Sequence, residues 1–168
     1  LSAQAVHEGR SFAVGKMGQA VCGGNFTLWD DATDPRGLAQ PFDWEGVPAR
    51  RLELVTSGIL RGLAHDSRSA ARDGVASTGH AMSQVFEQWN PWPAPTHLFV
   101  ATGDVAREDL IAGVEHGVLI TRFHYTHCPE PQRLVATGTT RDGTFLIKDG
   151  RIAGALRNLR FTQSVLET

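Results

Sequence analysis

The stretch F-L-I-K-D-G-R-I-A-G-A, residues 145–155, decides the fold class because it predicts a β-hairpin. Asp149-Gly150 is the strongest short hairpin pattern in the chain, since both residue types tolerate the positive φ angles of a two-residue turn. Residues 158–163 (N-L-R-F-T-Q) alternate between polar and apolar, and residues 118–126 are rich in β-branched and aromatic side chains. This end of the chain is therefore predicted to be antiparallel β-structure.

The same pattern extends towards the N-terminus. Residues 51–56 and 59–65 are strand-like runs joined by Ser57-Gly58, a second hairpin pattern. Further strands are predicted at residues 25–29 and 97–101, and a short helix at residues 67–73. The main helix is predicted at residues 107–116, where Glu108 and Asp109 suit the first turn and Gly117 can end it. The chain is thus predicted to be α+β and predominantly β, with one main helix.

Composition excludes several classes of protein. The 168 residues are expected to form a single domain, residues 1–168, and both ends look cut, because the chain starts at Leu1 and stops without a closing turn. A net charge of −2 predicts no nucleic-acid partner, and the lack of a long apolar run predicts no membrane span. Two cysteines, Cys22 and Cys128, are too few for a disulfide framework, which favours a cytoplasmic location.

The segment T-R-F-H-Y-T-H-C, residues 121–128, carries zinc-compatible residue types within five positions. In a strand, however, neighbouring side chains alternate between faces, so His124 and His127 should diverge. Pro129 is expected to end the strand, with Cys128 as a small apolar residue beside it. We therefore expect no metal site, and the alternative left open is an independent metal hydrolase that uses His124, His127 and Cys128.

Two other acidic or histidine-bearing patterns are weak. His7-Glu8 is half of a zinc-peptidase helix, because positions 11 and 12 hold Ser and Phe where a second histidine would be needed. His7 is therefore only an additional candidate ligand for the alternative hydrolase. The pair Asp30-Asp31 is typical of turn chemistry rather than of acid–base catalysis.

Several segments, in chain order, together carry a family resemblance. They are E-G-R-S-F-A-V-G-K-M-G (8–18), D-P-R-G-L-A-Q-P-F-D-W-E-G-V-P (34–48), S-G-I-L-R-G-L-A-H-D (57–66), V-E-H-G-V-L-I-T-R-F-H-Y (114–125) and T-G-T-T-R-D-G-T-F-L-I-K-D-G-R-I (137–152). The chain resembles the C-terminal domain of the TldD/PmbA proteins over nearly its whole length. The resemblance implies antiparallel sheets in a partly closed, barrel-like domain.

The resemblance also implies a function. TldD/PmbA proteins are zinc-dependent peptidases that act on small peptides and work as two related subunits, so a partner subunit in a heterodimer or homodimer and a peptide substrate are expected. One subunit carries a His-Glu-x-x-x-His helix and a cysteine, and its PmbA/TldE-like partner lacks this site. No position here matches those ligands, so the resemblance places zinc in the catalytic partner and makes this chain an accessory or scaffold part, which the T-R-F-H-Y segment also favours.

Five polar residues are candidates for a peptide- or partner-contacting surface: Arg122, His124, Tyr125, Arg141 and Asp142. The alternative is structural, with Arg141 and Asp142 shaping a turn and Tyr125 in the core. A further alternative function is a non-catalytic interaction module. It would use a long exposed loop at residues 74–95, with Trp89 and Trp92 as partner anchors.

Overall fold

The structure is a computed structural model that describes residues 1–82 and 92–167. The chain divides into two compact units, Leu1–Ala101 and Thr102–Thr168. The elements, in chain order, are α1 (Ala3–His7), β1 (Leu28–Asp30), β2 (Leu52–Thr56), β3 (Ile59–Leu60), α2 (Ser67–Asp73), β4 (Leu98–Val100), α3 (Arg107–Ala112), β5 (His116–Glu130), β6 (Val135–Lys148), β7 (Arg151–Ala155) and β8 (Arg160–Ser164).

The first unit contains an antiparallel sheet with strand order β3-β2-β1-β4. The predicted hairpin is confirmed, because Thr56 pairs with Ile59 across Ser57 and Gly58, whose φ angles are 48° and 77°. The sheet and α1 pack around a small core of fully or nearly buried side chains: Ala3, Ala13, Val55, Leu60 and Leu63. The predicted strand at residues 25–29 is shorter than expected and shifted, since pairing begins at Leu28.

Helix α2 has the bounds that were predicted, and its end residues explain why. Asp66 caps the N-terminus, where its Oδ1 accepts a hydrogen bond from the Ser69 amide at 2.7 Å. The Ser69 hydroxyl oxygen in turn accepts from the Asp66 amide at 3.2 Å, which completes a capping box. Gly74 ends the helix in the left-handed conformation, which costs glycine least.

The second unit contains an antiparallel sheet with order β5-β6-β7, in which β8 also pairs with β6. The hairpin predicted at residues 145–155 is confirmed, with Lys148 opposite Arg151 and φ angles of 49° and 73° at Asp149 and Gly150. The described strand pairs close neither sheet into a ring. Within this sheet, the pair of long strands β5 and β6 forms a ribbon, and irregularities in its pairing create the surface described below.

Other predicted boundaries also differ, and the run predicted at residues 59–65 is a strand only at Ile59–Leu60. The main helix ends at Ala112 rather than at 116, because the residues that follow it bind to the turn of the β6–β7 hairpin. The Gly150 amide donates to the Val114 carbonyl oxygen at 2.9 Å, and the Asp149 amide donates to the Glu115 carbonyl oxygen at 2.7 Å. Strand β5 also continues past Pro129 to Glu130. Proline is tolerated there because β5 pairs on one side only among the described residues, so no second ladder needs the missing amide.

No helix within the described part of the chain has both the length and the apolar character needed to cross a bilayer.

Candidate functional site

The five residues predicted to form a contacting surface lie together on the β5–β6 ribbon, and we call them the ribbon cluster. Arg122 pairs with Arg141 across the ladder, and its guanidinium donates to Asp142 Oδ2 at 2.7 Å. Arg141 lies 3.0 Å from His124 Nε2, and the His124 ring meets Tyr125 edge-on with centroids 5.2 Å apart. Tyr125 is 83% exposed, so it is not a core residue.

The backbone of the ribbon cluster is irregular, which was not predicted. Arg141 and Asp142 are not in a turn but inside the 14-residue strand β6, where Asp142 and Gly143 have φ angles of 62° and 158°. A Cβ on Gly143 would lie 2.7 Å from Thr121 Oγ1, so only glycine permits this close crossing. Tyr125 on the opposite strand also has positive φ, at 53°. Such bulges turn side chains away from strict alternation and are typical of functional surfaces.

The side chains of His124, His127 and Cys128 do not converge on one point. The His124 Nε2 atom faces Arg141, and His127 Nδ1 lies 3.4 Å from the Tyr125 carbonyl oxygen. Among residues 1–82 and 92–167, the group of three potential ligands with mutually close donor atoms is another one, Glu115, His116 and Asp149, and all three are exposed.

The donor chemistry of that group does not match the zinc centre that the resemblance implies. Glu115, His116 and Asp149 offer two carboxylates and one imidazole at a strand end and a hairpin turn. The family centre needs two histidines one helical turn apart and a cysteine thiolate. The donor atoms that the described residues bring together therefore do not match that centre.

His7, the remaining candidate ligand, is engaged in a structural contact. Its Nε2 atom lies 2.7 Å from Asp73 Oδ1, which joins the end of α1 to the end of α2. The other oxygen of Asp73 lies 4.0 Å from His65 Nε2. Burial lowers the pKa of His65, and the nearby Asp73 carboxylate only partly opposes this. His7 thus contributes to helix packing rather than to a ligand set.

A second group of polar residues in the first unit was missed by the sequence analysis. A cavity of about 240 Å³ has Asp30, Asp43 and His80 among its lining residues. Asp30 Oδ1 lies 3.0 Å from His80 Nε2, and Asp30 Oδ2 accepts from the His97 amide at 2.7 Å. Asp30 and His80 are buried, with side-chain exposures of 1% and 4%.

Asp43 ties together the two loops that border the cavity. Its Oδ1 accepts from the amides of Glu45 and Val47, both at 2.9 Å, and its Oδ2 accepts from the Ala81 amide at 2.9 Å. The Asp43 carboxylate thus connects the loop at residues 40–49 to the segment at residues 78–82 through hydrogen bonds. Trp44, next to Asp43, lines the cavity and is 61% exposed.

The hydrogen bonds of the buried pair fix the orientation of the His80 ring. His80 Nδ1 lies 2.9 Å from both the carbonyl oxygen and the hydroxyl oxygen of Thr78, and Nε2 faces the Asp30 carboxylate. Burial raises the pKa of Asp30, but the hydrogen bonds from His80 and from the His97 amide outweigh it and leave the pKa below its usual value. The ionised form of Asp30 is therefore favoured in spite of its burial.

The sequence carried a partial sign of this site. Of the pair Asp30-Asp31, only Asp31 does the predicted turn chemistry, accepting from the Thr33 amide at 3.0 Å. Asp30 is instead a fully buried strand residue, and an acidic side chain in a strand needs a partner. The partner, His80, is 50 positions away, so local sequence could not indicate it.

The tryptophan-bearing loop is described only in part. Trp89 lies outside the described residues. Trp92 is 41% exposed, and the Arg10 guanidinium lies 5.3 Å from its ring centroid. The alternative interaction module therefore stays a prediction.

The described part of the chain holds two antiparallel sheets and three short helices, which places it among mostly β domains. The comparisons identify which class. The family model described as the PmbA/TldA metallopeptidase C-terminal domain matches residues 1–168. This class of domain belongs to metallopeptidases, so the fold is that of a peptidase-associated β domain. The chain belongs to the TldD/PmbA family, which confirms the resemblance found in its sequence.

Individual relatives agree with this assignment. The chain is 26% identical over 166 residues to a protein named "Metalloprotease" from Methanothermobacter thermautotrophicus, covering 99% of this chain and 36% of that protein. It is 32% identical over 114 residues to a "Metalloprotease TldD homolog" from Haemophilus influenzae, covering 67% of this chain and 23% of that protein. The chain thus spans well under half the length of these curated relatives.

A solved structure shows the same fold. The crystal structure of TldE from Thermococcus kodakarensis superposes with a TM-score of 0.84 and 26% identity, covering 99% of this chain and 37% of that one. The mostly β, antiparallel architecture predicted from the sequence is therefore the one found in this relative.

Proposed function

We propose that this chain is the C-terminal domain of a TldD/PmbA-type metallopeptidase system that acts on small peptides, and that it contributes framework rather than the zinc site. One observation carries the proposal: the family model covers residues 1–168, yet the described histidines and cysteines do not assemble the family's ligand set. Polarising a water for peptide hydrolysis requires the ion, so the chemistry needs residues beyond those described, and the family resemblance favours a partner subunit as their source.

The partner is a related subunit of the same family, in a homodimer or a heterodimer. The structural similarity to a protein named TldE supports an accessory type of subunit, and so does the T-R-F-H-Y segment. The free thiols of Cys22 and Cys128 agree with a cytoplasmic location.

The β5–β6 ribbon supplies the surface for peptide or partner contact. Among the described strands, β5 pairs only with β6, so its other edge offers backbone amides and carbonyls to an extended chain. Three members of the ribbon cluster, Arg122, His124 and Tyr125, lie on the same strand, and Tyr125 is exposed. Arg141 is exposed on the neighbouring strand β6. Main-chain pairing would hold a peptide with little dependence on its sequence, and the exposed side chains would orient it.

Metal analysis tests the framework assignment. The purified protein is expected to contain no stoichiometric zinc and to cleave no peptide by itself. Replacing His127 and Cys128 by alanine should leave the metal content unchanged. One zinc per chain that disappears in this double variant would overturn the proposal and establish the independent hydrolase.

Partner capture tests the ribbon cluster. Arg141→Ala removes a guanidinium that contacts His124, whereas Arg160→Ala, the matched control, replaces another exposed arginine, which lies on β8. We expect capture of the partner subunit or of a model peptide to fall only with Arg141→Ala. Equal capture by both variants would show that the ribbon cluster is not the contact surface.

A further inference from the structure

The described lining of the cavity in the first unit is acidic. Asp30 and Asp43 are among its residues, and none of the described lining residues is a lysine or an arginine. Hydrogen bonds hold the pKa of Asp30 below its usual value, so its charged form is favoured. Both carboxylates are buried, with exposures of 0% and 4%, so they act on a ligand in the cavity through their negative charge.

The wall of the cavity adds an aromatic surface. Trp44 is 61% exposed although its backbone is anchored, since its amide donates to the Ala81 carbonyl oxygen at 3.3 Å and its neighbour Asp43 accepts three amides. A large indole held rigidly at a cavity, rather than folded into the core, leaves apolar area in water that a ligand can cover. Tryptophan is also the best aromatic partner for a cation.

The size of the cavity limits what it can take. Its volume of about 240 Å³ is below the roughly 300–1,000 Å³ of sites for drug-sized ligands, so it accommodates a single side chain or chain end rather than a whole small molecule. The ligand must offer positive charge both to the nearby carboxylates and to the indole face. An organic ammonium or guanidinium group meets both requirements.

We propose that the cavity bordered by Asp43, Trp44 and the Asp30–His80 pair is a binding subsite for an organic cation of a peptide, either a lysine or arginine side chain or the terminal ammonium. This deepens the proposed function, on which it rests for the peptide nature of the ligand. The carboxylates of Asp30 and Asp43 draw the cation in, and Trp44 covers it.

Isothermal titration calorimetry with blocked pentapeptides tests the subsite. The probes are acetyl-Gly-Gly-Lys-Gly-Gly-amide, the same peptide with norleucine in place of lysine, and pentaglycine amide with a free amino terminus. We expect the lysine peptide to bind and the norleucine peptide, which keeps the alkyl stem without the charge, to bind at least several-fold more weakly. Pentaglycine amide distinguishes the two sources of the cation: its binding assigns the subsite to the peptide terminus as well.

Two variants connect the binding to the cavity. Trp44→Ala should weaken the lysine peptide about 2- to 30-fold, the range of a cation–π contact, and its exposure means that the fold does not depend on it. Phe42→Ala is the matched control, since Phe42 is in the same loop and 58% exposed but is not part of the lining. Circular dichroism and thermal unfolding of both variants verify that each is folded.

The outcomes are decisive in both directions. Charge-dependent binding that Trp44→Ala weakens and Phe42→Ala does not would support the subsite. Equal affinity for the lysine and norleucine peptides, an unchanged affinity in Trp44→Ala, or no binding of either cationic peptide would overturn it. Because the assay measures binding and needs no catalysis, such a failure would not affect the framework proposal. Zinc bound by this chain would overturn the framework proposal but would not affect the subsite.

Discussion

Replacing Gly79 by alanine should destabilise the protein more than replacing Gly46, although both glycines have nearly the same backbone conformation. Their φ angles are +74° and +78°, so each alanine incurs the same left-handed strain, about 1–2 kcal/mol. A Cβ on Gly79 would also lie 2.6 Å from the Pro48 carbonyl oxygen, whereas a Cβ on Gly46 meets no atom within 4 Å.

The difference between the two variants isolates the steric contribution. The atom that Gly79→Ala approaches is backbone, which cannot rotate away, so the loop that contains Pro48 must shift. Forcing one extra carbon into such a contact costs about 1–3 kcal/mol. We therefore expect a total loss of about 2–5 kcal/mol for Gly79→Ala and about 1–2 kcal/mol for Gly46→Ala.

Thermal and urea unfolding of the two variants measure this difference. For a protein of this size each kcal/mol lowers Tm by about 2–4 °C, so Gly79→Ala should melt about 2–12 °C below Gly46→Ala. Asparagine, which tolerates positive φ, should largely rescue position 46 but not position 79. Equal Tm shifts for the two alanine variants would refute the close approach of Gly79 to the Pro48 backbone.

Three further predictions concern a helix cap and two titrating groups. Asp66→Ala should lower the free energy of unfolding by about 1 kcal/mol, measured in urea, because it removes the cap of α2. Ser2→Ala is the control and should cost less, since the Ser2 hydroxyl at the start of α1 has no hydrogen bond. Equal losses in the two variants would contradict the capping role of Asp66. Burial lowers the pKa of His65, so the unfolded chain binds a proton before the folded one does as the pH falls below about 6.5, and the free energy of unfolding should decline there. His65→Gln should remove this decline. An unchanged pH profile in the variant would refute the assignment to His65. The lowered pKa of Asp30 means that its contribution is present above about pH 3.9 and is lost as the pH falls further, so unfolding curves of Asp30→Asn should lack this second, more acidic decline; its persistence in the variant would exclude Asp30 as the cause.

The ribbon cluster shows how far sequence reasoning reaches at a site. Its five members were selected as exposed polar residues, and the structure does bring them together, with Arg122 on Asp142 and Arg141 on His124. The predicted turn at Arg141-Asp142 is instead a bulge within β6. A dipeptide with high turn propensity favours positive φ, but whether the chain then reverses or continues depends on the strand beside it.

The cavity residues mark the opposite limit. Asp30, Asp43 and His80 are distributed over fifty positions of the chain, and each alone is typical of a loop or a turn. Only their mutual distances identify them as one group. The sequence indicated that Asp30 was acidic and next to a strand, but not that it was buried against the His80 ring.

The amino-acid sequence by itself determined the two tight hairpins, the capped helix α2, the predominance of antiparallel strands and the family. The hairpins and the capped helix follow from local preferences, because a residue pair such as Asp149-Gly150 favours the same dihedral angles in any protein. The family follows from several matching segments that occur in the same order along the chain. Tertiary structure alone decided where α3 ends, how the β5–β6 ribbon bulges and that Asp30 meets His80. Each of these depends on hydrogen bonds between distant residues, whose strength is set by separation in space and not by separation along the chain.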